Sequence, residues 1–102
     1  RGHLGVGRGR GLAATLRAEG APRAVTALAL CGTWLVSGSL DCTVRVWSLD
    51  QHDLERPGGP AAIRVIEMSS EVMSLAIQHD QDGLCVHCGC KDRCIRQLRL
   101  TS

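Results

Sequence analysis

With 102 residues and a formal net charge of only +2, the chain is sized for one small domain or a piece of a larger one. So weak a net charge gives no field that would single out nucleic acid or an anionic membrane as partner. No uninterrupted apolar run approaches the roughly 18 residues needed to span a bilayer, because Thr26, Gly32 and Thr33 interrupt Ala24–Val36.

The chain opens on Arg1 rather than Met, so an excised or processed piece is expected, and no charged-then-apolar secretory leader is visible. Residues 1–11, RGHLGVGRGRG, alternate Gly with Arg and offer little to bury, which predicts a flexible leader. They do not meet the G-x-G-x-x-G spacing of a dinucleotide site. An Arg-Gly nucleic-acid segment would call for more repeats and interleaved aromatics. Leu12–Arg17 then reads as a strand running into a turn around Gly20-Ala21-Pro22.

Three strand-sized apolar segments follow, at 25–30, 35–39 and 43–49, rich in Val, Leu and Thr. Cys31-Gly32-Thr33 parts the first two, and Ser39-Leu40-Asp41-Cys42 the next two, with an Asp suited to bonding nearby amides. The prediction is an antiparallel meander whose strands are apolar on both faces, as suits a sheet packed between other sheets. Asp50–Ala62 is polar and centred on Pro57-Gly58-Gly59-Pro60, so a long loop is expected, its tip a surface feature rather than a site.

The pattern then recurs. Ile63–Met68 reads as a fourth strand and Ser69-Ser70-Glu71 as its turn. Val72–Ile77 repeats Val25–Leu30 at an offset of 72 − 25 = 47 residues. Cys88-Gly89-Cys90-Lys91-Asp92 overlies Ser37-Gly38-Ser39-Leu40-Asp41 at an offset of 89 − 38 = 51, which places a four-residue difference in a hairpin at Gln78–Gly83. A period of this length marks units that cannot bury their faces alone.

The string LVSGSLDCTVRVWS at Leu35–Ser48 resembles the end of a WD40 repeat, with Ser48 in place of the aspartate of the name and Cys42 where Gly or a small polar residue is common. The resemblance implies an all-β fold of antiparallel four-stranded blades from a WD40-type β-propeller, here an incomplete arc of about two blades. Its parts are an outer strand at 12–17, a first repeat at 25–68 and a second at 72–100, within a repeat region of 12–102. It further implies that Asp41 and Asp92 cap the turns, that the Trp47 indole N–H is bonded, and that Ser37 or Ser39 is the hydroxyl partner. Ala18-Glu19 stands where such repeats usually carry Gly-His, so the buried His is expected to be missing. Leu98 overlies Trp47, so the second blade is expected to rest on apolar packing and to open more easily. Two blades cannot close a ring.

The cysteines pose the rival reading: Cys85, Cys88, Cys90 and Cys94, with His79 and His87 nearby, resemble a metal-binding knuckle. With the Arg-Gly leader, that reading makes residues 79–94 the centre of a zinc-binding or RNA-associated module. Against it, strand alternation points Cys88 and Cys90 one way and Cys85 the other, with Cys94 across the turn. Core packing of small hydrophobes is the simpler account, and no cofactor is expected.

For catalysis, Ser37 and Asp41 lack a G-x-S-x-G elbow and no acidic pair is placed for acid-base work, so no enzyme is expected. The resemblance implies a protein-interaction scaffold or adaptor, with other proteins or the remaining blades as partners and self-association as a further route. Nucleic acid and membrane are not expected partners. Leu40 and Lys91, each just before a turn Asp, with Glu71 near the same rim, are candidate contacts, as is Trp34 at the opposite rim. Strand-borne cysteines favour a reducing compartment, cytoplasm or nucleus.

Overall fold

A computed structural model describes residues 15–17, 23–57 and 61–100. The leader at 1–11 and the Ala18-Glu19 pair lie outside the described residues, as do residues 12–14 of the expected outer strand. Thr15, Leu16 and Arg17 carry no strand assignment.

The described strands are β1 (Val25–Cys31), β2 (Trp34–Ser39), β3 (Thr43–Ser48), β4 (Ala62–Glu67), β5 (Val72–Asp80), β6 (Gly83–Cys90) and β7 (Ile95–Leu100). They form two antiparallel meanders, a four-stranded sheet in the order β1-β2-β3-β4 and a three-stranded sheet in the order β5-β6-β7. The first turn is tighter than expected. Cys31 pairs with Trp34, leaving Gly32-Thr33 as the turn, with Gly32 in the left-handed region at φ 61°.

The polar segment after β3 is not wholly loop. Asp50 accepts a bond from the His52 amide (3.1 Å) and caps a single helical turn, α1 (Gln51–Leu54), before Pro57. A capping Asp followed by residues that tolerate helix was sufficient there, and the sequence reading weighed only the Pro-Gly core. The four-residue difference between the repeats proves to be strand, not loop. β5 and β6 have 9 and 8 residues against 7 and 6 in β1 and β2, and Gln81-Asp82 turns between them ahead of Gly83 at φ 124°.

Register fixes the faces. Across the first sheet, Ala27, Gly38, Val44 and Ile66 form one row and Ala29, Val36, Val46 and Arg64 another, both toward the second sheet. The second sheet answers with the rows Leu75-Cys88-Arg96, Ile77-Val86-Leu98 and His79-Leu84-Leu100. Val36, Val44, Val72, Val86 and Cys88 are fully buried in the core so formed. The sheets run closest along β1 and β5. There the Thr26 hydroxyl donates to the carbonyl of Val72, and Gly38 leaves room that a Cβ would contest with the Val72 side chain. From that edge they diverge toward β4 and β7.

Candidate functional site

The two turns between the second and third strands of each sheet share one construction. In the first, the Asp41 carboxylate accepts from the Thr43 amide (3.0 Å) and hydroxyl, and Arg45 Nη1 lies 3.3 Å from Oδ2. Cys42 adopts φ 69° to allow this. In the second, Asp92 accepts from the Cys94 amide (3.2 Å) and from both terminal nitrogens of Arg96 (2.9 and 2.8 Å), with Arg93 at φ 70°. Partial burial pushes the Asp41 carboxyl up, but bonds from Thr43, Ser39 and Arg45 outweigh this and hold it below its ordinary range. The Arg96 guanidinium is the main cause of the same lowering at Asp92.

Arg45 and Arg96 were missed by the sequence reading, although the recurrence of Asp with Arg four residues later was a usable signal. Ser70 was missed as well. In the first turn Ser39 Oγ accepts from the Asp41 amide (3.1 Å); Cys90 overlies Ser39, and Ser70 Oγ accepts from the Asp92 amide instead (3.2 Å). Nothing local announces that long-range substitution.

Trp47 Nε1 donates to Ser37 Oγ at 2.9 Å, and both residues are buried. Thus Ser37 partners the indole and Ser39 the turn. Leu40 and Lys91 occupy matched places, their amides bonded to the carbonyls of Ala24 (3.1 Å) and Glu71 (2.9 Å). Leu40 and Glu71 are half-buried and Lys91 is exposed. Trp34 lies at the opposite rim, where the diverging sheets leave a cleft of about 310 Å³.

The four metal candidates do not converge. Cys88 and Cys90 are buried on the face toward the first sheet, whereas Cys85 lies on the reverse face, where Gln97 Nε2 donates to its sulfur at 2.9 Å. Cys94 is exposed in the turn. Among the described residues no three His, Cys, Asp or Glu side chains could hold a metal ion together. Burial, with the neighbouring Cys90, pushes the Cys88 thiol up to about 11, which disfavours the thiolate a metal would need.

The two outward faces differ in kind. The first sheet presents Leu28 and Leu30, 62% and 60% exposed, with Val65 on the same face. The reverse of the second sheet carries His87 where the first has Val36, Gln97 where it has Val46, and Ser74 where it has Ala27.

Paired meanders stacked front to back, the inner face of one on the opposite face of the other, with one Asp turn per sheet, define an all-β arc of an incomplete propeller. Residues 12–48 match the family model of the WD domain, G-beta repeat. The solved structure of the computationally designed Ika4 protein is similar at 28% identity and a TM-score of 0.56 over 82% of this chain. The chain spans 46% of the length of that structure. No curated protein matches it significantly.

Proposed function

We propose that this chain is a non-catalytic scaffold or adaptor that holds protein partners on the rim carrying its two Asp turns. The observation that carries this reading is the repeated Asp turn. Two rigid, hydrogen-bonded turns set Leu40 and Lys91 at matched positions on one rim, beside Ala24 and Glu71. Rigid presentation lowers the ordering cost of binding. Its partners are other proteins, or further blades that cover the apolar face of the first sheet. Six free cysteines, three of them buried, fit a reducing compartment, cytoplasm or nucleus.

The test is photo-crosslinking from a reactive residue placed singly at Leu40, Lys91 or, as a control away from the rim, Arg56. Recovery of the same protein from the two rim positions and not from the control is expected. Adducts at none of them, or at the control alone, would sink the reading.

A further inference from the structure

The opening between the diverging sheets belongs to neither turn. Its walls are the exposed edge of Trp34 with Val46, Ile63, Leu84 and Leu100, and Arg64 and His79 stand among them. Arg64 occupies the end of a row that is otherwise core, since it pairs with Val46 on the face toward the second sheet. At about 310 Å³ the cleft is large enough for a bulky apolar side chain and part of its backbone.

Among the described residues its charge is one-sided. Asp80, the carboxylate lining the cleft, is neutralised by Arg99 at 3.2 Å, while Arg64 makes no ion pair among the described residues. An apolar slot with an uncompensated guanidinium suits a carboxylate beside a hydrophobic anchor, because a charge-assisted bond at the mouth adds direction to apolar burial.

The geometry points to this cleft as a docking site for a short acidic peptide segment, with one large apolar side chain between Trp34 and Leu100 and a neighbouring carboxylate on Arg64. The assignment rests on the scaffold reading and deepens it by naming a partner chemistry. It differs from the rim contacts in place and in charge preference.

The test uses the full chain and two end-capped six-residue peptides, each with a leucine-phenylalanine pair flanked by two aspartates or by two lysines. Binding is followed by peptide fluorescence polarisation and by Trp34 emission, Trp47 being buried. The acidic peptide should bind with a Kd of about 100 µM or tighter, and about tenfold more tightly than the basic one. Arg64→Glu, a change at an exposed position that leaves the core intact, should reverse the preference. Trp34→Ala should weaken both peptides, and Leu28→Glu on the far face should change neither.

Equal binding of the two peptides, no binding of either at about 1 mM, or a preference indifferent to Arg64→Glu would each overturn the proposal. A chain that is cross-linked to protein at Leu40 and Lys91 yet ignores both peptides keeps the scaffold and loses the cleft. Peptide binding without rim adducts does the reverse.

Discussion

At Asp41 one carboxylate accepts three bonds from two residues at the start of β3, Thr43 and Arg45. Asp41→Ala should therefore lower stability by roughly 1–3 kcal/mol, the usual cost of leaving buried or half-buried donors unpaired. Denaturant unfolding should show Asp92→Ala to be milder, because its ion pair with Arg96 is more exposed. The sign with pH follows from the lowered carboxyls of Asp41, Asp80 and Asp92. A folded value below the unfolded one means that the unfolded chain binds more protons as acid is added. This stability is fully present above about pH 4 and is lost as pH falls through the folded values. The thermal midpoint should hold near neutrality and fall below about pH 4, with a shallower fall in Asp41→Asn.

The sheets, as elements, inherit unequal supports. The first is tied by the Trp47–Ser37 bond, and its Trp is only 3% exposed; the second has Leu98 and Cys88 at the corresponding places. Hydrogen exchange should accordingly reach the amides of β5–β7 before those of β1–β3. Thiol chemistry should follow the same geometry. A neutral alkylating reagent should label exposed Cys94 first and Cys88 only when the sheet opens, since a buried thiol with a raised pKa is a poor nucleophile. If Cys88 reacts as fast as Cys94 in the folded chain, the packing described for β6 is wrong.

Much of this level was legible in the residues. The Gly32 and Asp41 turns and the repeated apolar runs are short-range signals, so the strands and their order followed from them. The cap at Asp50 was passed over beside a stronger Pro-Gly signal. The Arg45 and Arg96 braces needed the two repeats to be compared beyond their apolar positions. Ser70 and the cleft could not be read at all, because each is made by residues that are distant in sequence and brought together only when the second sheet packs on the first.

For the whole molecule, the contrast between the outward faces decides how copies meet. Leu28, Leu30 and Val65 leave one apolar face uncovered, whereas His87 and Gln97 make the other a poor receiver for a blade. Copies that associate should do so face to face through the first sheet, which closes as a pair. Light scattering across a concentration series should show the dimer, and Leu28→Glu should shift it to monomer. The double change His87→Val with Gln97→Val should instead yield open-ended assemblies.

The close seam between β1 and β5 acts like the spine of a book. Thr26 and Gly38 pin it, while the outer strands β4 and β7 are the free margins of its two pages. A small rotation about the spine changes the gap at the margins greatly and the seam hardly at all. A guest held between the pages should therefore slow amide exchange in β4 and β7 and leave β1 and β5 as they were.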